Sequence, residues 1–211
     1  MEGAELHDIL HIKRRLPEQD CFPVMLQILR AAEYLHSINI IHRDLKPRNV
    51  LVSSRLRLHV IDLGLAIDLS DPLDHRTAQL GVVGTQGYMA PESLMSAPVT
   101  ALVDIWAIGV MLYEMVFGFS PFLPHELFLP TGPEFPDESW GISASAELKD
   151  LINRLLEKKP ENRLSSVCGG FVWVVYGVRR REGGGELASK RERRREREEG
   201  GRDRQRQRQI H

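Results

Sequence analysis

The chain has 211 residues, a hydrophobic content of 42% and a formal net charge of -1. That is enough apolar material for one ordinary globular core, and its two cysteines, Cys21 and Cys168, exclude a disulfide framework and point to a reducing compartment. The charge is unevenly placed: residues 179–211 hold thirteen Lys/Arg against seven Asp/Glu, so the tail is basic and the body acidic.

The opening "MEGAELHDIL" is acidic and lacks the basic-then-apolar pattern of a secretory leader. Residues 3–15 predict a short helix with Leu6, Ile9, Leu10 and Ile12 on one side, broken by the "PEQD" cluster. Residues 22–37 carry Val24, Leu26, Leu29, Ala32 and Leu35 at helical spacing and predict an amphipathic helix. Val50–Val52 and His59–Ile61 flank a polar turn and predict a small hairpin. Residues 62–92 read as loop. Residues 101–117, "ALVDIWAIGVMLYEMVF", are apolar almost all round, which predicts a buried central helix. Pro121–Ser139 is proline-rich and irregular, and Ser145–Glu157 predicts a last amphipathic helix.

Beyond Leu164 the pattern changes to glycine runs and then Arg/Glu/Gln repeats, with too little to bury. Two domains follow: a folded body at 1–164 and a low-complexity basic tail at 165–211, expected to be disordered. Interleaved glutamates and the lack of aromatics after Tyr176 argue against nucleic acid as its partner. The apolar run Phe171–Val178 is too short to span a bilayer. The expectation is a soluble intracellular protein, cytoplasmic or nuclear, without membrane association.

The segment Ile40–Leu51, "IIHRDLKPRNVL", places an acid, a base and an amide at short fixed spacing: Asp44, Lys46 and Asn49. It resembles the catalytic loop of eukaryotic protein kinases, H-R-D-x-K-x-x-N, with His42, Arg43, Asp44, Lys46 and Asn49 all in place. Further segments follow in the order of that family. "VIDLGLA" (Val60–Ala66) resembles the metal-binding D-F-G segment, with Leu63 in place of Phe. "GTQGYMAPE" (Gly84–Glu92) resembles the end of the activation segment. "DIWAIGVMLYEM" (Asp104–Met115) and "RLLEKKPENRL" (Arg154–Leu164) resemble the central and late helices.

The resemblance implies an α+β, mainly α-helical fold, the C-terminal lobe of a serine/threonine protein kinase. Its implied activity is transfer of the ATP γ-phosphoryl to a Ser/Thr hydroxyl of a protein substrate. Such transfer needs a positioned hydroxyl, charge neutralisation and metal rather than a covalent nucleophile. On that resemblance Asp44 is the base, Lys46 stabilises charge on the moving phosphoryl, and Asn49 and Asp62 are oxygen ligands suited to Mg²⁺. Lys46, Asn49, Asp62, Glu5 and Leu51 would contact the nucleotide, with Leu51 under the adenine and Glu5 at the pocket lip. His42, Arg43, Thr85, Asp104 and a Glu92–Arg163 ion pair would support the site. Lys46 and Thr85 together favour Ser/Thr over Tyr as acceptor.

Three departures stand beside the resemblance. No Gly-rich loop or strand lysine of the small N-terminal lobe precedes "GAEL", so half of the expected nucleotide clamp is missing and the chain alone is expected to be impaired. Arg48 stands where many such kinases carry Glu. Pro121–Pro136 is short for the family. A non-catalytic binding module, docking partners on the exposed lobe surface, and an incomplete gene product therefore stay open as alternatives.

Overall fold

The structure is a computed structural model that describes residues 3–73, 82–95 and 97–165. The chain divides into two units, Met1–Val172 and Trp173–His211, and every described residue belongs to the first. The expected tail lies outside the described residues beyond Ser165. Among the described residues no helix is long and apolar enough to cross a membrane.

The body is mainly helical. Helix α1 spans Leu6–Lys13 and α2 spans Glu18–Ser37. The second starts four residues before the expected point. Glu18 and Asp20 suit the positive end of a helix, so "PEQD" both ends α1 and begins α2. Pro23 falls inside α2, where it removes one backbone donor; packing of the helix compensates. The buried stripe is Cys21, Met25, Ile28, Leu29 and Ala32. Of the apolar residues in the expected stripe, Val24, Leu26 and Leu35 are only half-buried. The packing of α2 against its neighbours, not the apolar count, sets the rotation. Burial pushes the Cys21 thiol up to about 12, so this cysteine acts as a small hydrophobe.

Helix α3 is a single turn, Pro91–Leu94. Helix α4, Leu102–Phe117, is the centre of the core: every residue except Leu102 and Glu114 is buried. It ends on Gly118 at φ 85, the left-handed cap that glycine adopts without strain. Helix α5, Ala146–Leu155, buries Leu148, Leu151, Ile152 and Leu155, each contributing about 1.5–3 kcal/mol of burial. Gly109 of α4 faces α5; a Cβ there would come within 2.8 Å of Leu155 Cβ, so glycine permits the close approach. Ser145 caps α5 by accepting from the Leu148 N–H at 3.1 Å. Glu18 in turn accepts from the Ser145 N–H at 2.8 Å, which ties the starts of α2 and α5 together.

Two small antiparallel sheets complete the body. Strands β1 (Ala4–Glu5), β3 (Val50–Val52) and β4 (Leu58–Val60) pair in the order β1-β3-β4. The expected hairpin is β3–β4, displaced by one residue on its second strand, with Leu51 opposite His59. Strand β1 was not expected, because its two residues fall inside the helical pattern of 3–15. Strands β2 (Ile40–Ile41) and β5 (Ile67–Asp68) form the second sheet. The 42–49 loop thus leaves one sheet and enters the other, which fixes both of its ends.

Candidate active site

The loop at 42–49 is suspended from α4. Asp104, 1% exposed, accepts from the His42 backbone N–H with Oδ2 and from the Arg43 backbone N–H with Oδ1, both at 2.9 Å. His36 of α2 donates from Nε2 to the same Oδ2 at 2.8 Å. Three donors thus satisfy one buried carboxylate, as burial of a charge requires. The loop they hold is strained: Arg43 has φ 65, a left-handed value uncommon for a residue with a Cβ. Arg43 also reaches the Leu65 carbonyl at 2.7 Å through Nε.

His42 is fully buried. Its Nδ1 accepts from the Asp44 N–H at 3.3 Å and its Nε2 lies 3.1 Å from the Ile61 carbonyl. The two contacts together assign the Nε2–H tautomer. His42 therefore links the Asp44 backbone to the segment that carries Asp62.

Asp44, Lys46, Asn49 and Thr85 form one hydrogen-bonded group. Lys46 Nζ donates to Asp44 Oδ2 at 2.7 Å and to Thr85 Oγ1 at 2.6 Å. The Thr85 hydroxyl donates to Asp44 Oδ1 at 2.6 Å. Asn49 donates from Nδ2 to the Asp44 carbonyl at 2.8 Å and to Asp44 Oδ2 at 3.1 Å. Burial alone would raise the Asp44 carboxyl. The bonds from Lys46, Thr85 and Asn49, with the Lys46 charge, outweigh it and hold the group below the usual carboxylate range. Gly84 brings Thr85 in: it has φ 126, and a Cβ there would sit 2.8 Å from the Arg43 carbonyl. Only glycine permits that approach.

Asp62 also has a left-handed backbone, φ 64. Its side chain is exposed, and Oδ1 accepts from the Gly64 N–H at 3.2 Å. Both recorded bonds of the Asn49 side chain use its NH₂ group, so its carbonyl oxygen is the arm left for a ligand. An amide oxygen and a carboxylate are hard donors and fit a Mg²⁺ ion. Glu5 and Leu51 face each other across the β1–β3 ladder. No recorded contact joins Glu5 to the Asp44 group; its carboxylate instead lies 3.7 Å from Arg48 Nη1. Glu5, His7 and Asp8 bring possible ligand atoms within 4.8 Å of one another, but His7 and Asp8 already bond each other at 3.3 Å. Glu92 and Arg163 meet in a buried bidentate pair at 2.6 and 3.0 Å.

Three residues near the site were not singled out from the sequence, although Tyr88 lies in "GTQGYMAPE" and Glu114 in "DIWAIGVMLYEM". His36 joins Asp104 from 68 positions away. Tyr88 donates its hydroxyl to Glu114 at 2.7 Å. Glu114 could have been found, because a carboxylate in an otherwise apolar buried helix needs a partner. Burial pushes the Glu114 carboxyl up, against the opposing effects of the Tyr88 bond and His7.

Residues 1–170 match the protein kinase domain family, and the chain belongs to that family. Over 173 residues, 78% of this chain, it is 38% identical to myosin light chain kinase A of Dictyostelium discoideum, of which the match covers 57%. It is 35% identical over the same share to the calcium/calmodulin-dependent protein kinase type II alpha chain of Drosophila melanogaster, covering 32% of that protein. The same enzyme type in Caenorhabditis elegans is also 35% identical, with 23% covered. The chain thus spans less than two thirds of the length of these relatives.

Proposed function

We propose that this lobe catalyses transfer of the γ-phosphoryl of ATP to a Ser or Thr hydroxyl of a protein. The observation that carries the reading is the Asp44–Lys46–Thr85 triangle, closed by bonds of 2.6 to 2.7 Å. Its support is chemical. A carboxylate held ionised by its neighbours can accept the proton-bearing hydroxyl and orient it for in-line attack. Lys46 puts a fixed positive charge beside that point, where negative charge moves with the phosphoryl. Asn49 and Asp62 would hold Mg²⁺, whose chemistry when bound is to neutralise the phosphate oxygens. Asp44 then orients the hydroxyl and is the base that accepts its proton. Likeness to kinases named for a myosin light chain and for calcium/calmodulin dependence supports a protein as acceptor. Lys46 and Thr85 support Ser/Thr over Tyr.

Calorimetric titration of Mg²⁺-ATP into the 211-residue chain, with Asp62→Ala as control, is the first test. Saturable binding that the substitution abolishes supports the reading. Absence of binding leaves two readings: a non-catalytic module, or a lobe whose catalysis belongs to a longer product. Turnover is then measured in a fusion that adds a kinase small lobe. Asp44→Asn is expected to reduce it by at least about 100-fold, and near-normal turnover would refute the role.

A further inference from the structure

We propose that the cleft beside the end of α4 is a docking site for a protein partner, and that it takes a segment pairing an arginine with an apolar residue. The cleft has a volume of about 430 Å³, room for one or two side chains. Tyr113 forms its floor, with the Phe119 ring edge-on at 5.6 Å and the Phe135 ring at 6.0 Å. Trp140 stands at 5.9 Å from Phe119 and is 64% exposed, and Leu123 is 57% exposed. The exposed apolar faces of the cleft are thus Trp140, Leu123 and part of Phe119, above a Tyr113 that is itself buried.

Charge identifies the occupant. The residues lining the cleft include Glu126, Glu134 and Asp137 and no Lys, Arg or His. Glu126 already accepts from the Leu123 N–H at 2.7 Å, and Lys158 packs at that end with its ammonium 4.6 Å from the centre of the Phe122 ring. At the other end Glu134 and Asp137 line the cleft with Trp140; Lys149 over the Phe135 ring and Arg15, bonded to the Gly141 carbonyl at 2.9 Å, stand near that end, but neither forms an ion pair with these two carboxylates. Hydrogen bonds from the Ser139 side chain and backbone keep Asp137 below the usual carboxylate range, so it is anionic at neutral pH. An exposed indole that shares a cleft with two carboxylates suits a guanidinium, which stacks on an aromatic face and pairs with oxygen at once. The protein uses this chemistry on the flanking rings, with Lys158 over Phe122 and Lys149 over Phe135 at 5.8 Å. An apolar neighbour of the arginine would fill the hollow between Tyr113, Phe119 and Phe135.

The position gives the site its use. Asp104 and Tyr113 lie on the same rigid helix, nine residues apart, or roughly 14 Å along its axis. A partner held at the cleft leaves the Asp44 group open and stays within reach of it. The proposal does not depend on the phosphoryl-transfer reading.

The test is an array of synthetic ten-residue peptides in which Arg, Lys, Glu or Gly is set beside Leu, Phe or Ser. It is probed with the full 211-residue chain, and dissociation constants are read by anisotropy. Arg-Leu and Arg-Phe peptides are expected to bind at least about fivefold tighter than their Glu and Ser counterparts. Trp140→Ala and the pair Glu134→Gln, Asp137→Asn should each abolish that preference, with thermal unfolding and Mg²⁺-ATP titration unchanged. No arginine preference, or one that survives in Trp140→Ala, overturns the proposal. Self-association by sedimentation that is lost in Trp140→Ala overturns it too, by assigning the cleft to a second copy of the chain.

Discussion

Arg163 holds Glu92 through both guanidinium arms, Nη1 to Oε1 at 2.6 Å and Nη2 to Oε2 at 3.0 Å, with both residues 5% exposed. The same guanidinium donates to the Leu102 carbonyl at 2.9 Å and to the Glu157 carbonyl at 2.7 Å, and it lies 5.0 Å from the centre of the Trp106 ring. One side chain thus joins α3, the start of α4 and the segment after α5. Every strong donor has a partner, which is the condition for a buried ion pair to persist.

Removing one member strands the other charge. Arg163→Ala or Glu92→Ala is expected to cost about 3–5 kcal/mol. The double substitution should cost less than the sum, since it leaves no lone buried charge. Urea unfolding of the three variants measures this. Additive losses would show that the two residues act separately.

The Asp44 group makes a pH prediction. Its folded value is lowered relative to an ordinary Asp, near 4 in the unfolded chain by model-peptide values, about 3.9. The folded state then binds fewer protons than the unfolded state in the window below that value. The stabilisation is present above about pH 4 and is lost as pH falls through the folded value. Asp44→Asn has no such titration. Its stability should lie below that of the parent by about 1–3 kcal/mol at pH 7, and the gap should narrow as the pH drops below about 4. Melting temperatures of the two proteins from pH 3 to pH 7 decide it; a gap that is constant with pH would mean that Asp44 is not held in its ionised form.

The parts of this arrangement that were legible in the sequence are those set by short spacing or uniform composition. Asp44, Lys46 and Asn49 stand within six residues of one another, so their closeness follows from the chain itself. Helix α4 was legible because burial on all sides leaves an unbroken apolar run. What was hidden depends on long-range register. Strand β1 exists because Ala4 and Glu5 meet Val52 and Leu51, and two residues carry no periodicity. The buried face of α2 was misplaced because Val24, Leu26 and Leu35 are as apolar as the residues that pack. The third donor to Asp104, His36, comes from a helix whose sequence gives no hint of a carboxylate nearby. The pairing of Arg48 with Glu5 was hidden for the same reason.

Glu114 makes the opposite pH prediction. It lies in α4 among buried residues, and burial raises its carboxyl above the ordinary Glu value. Between the unfolded value, about 4.3, and the raised folded value, the folded state binds more protons than the unfolded state. Stability therefore falls as pH rises through that window, and the cost of the buried charge is fully felt above it. Glu114→Gln keeps an oxygen to accept from the Tyr88 hydroxyl, now 2.7 Å away, but carries no charge. The variant is expected to be more stable than the parent at pH 8, by on the order of 1 kcal/mol, and the gain should fade toward pH 4. Differential scanning calorimetry at pH 4, 6 and 8 checks this. A loss of stability at pH 8 would mean that the charged bond to Tyr88 outweighs desolvation at this position.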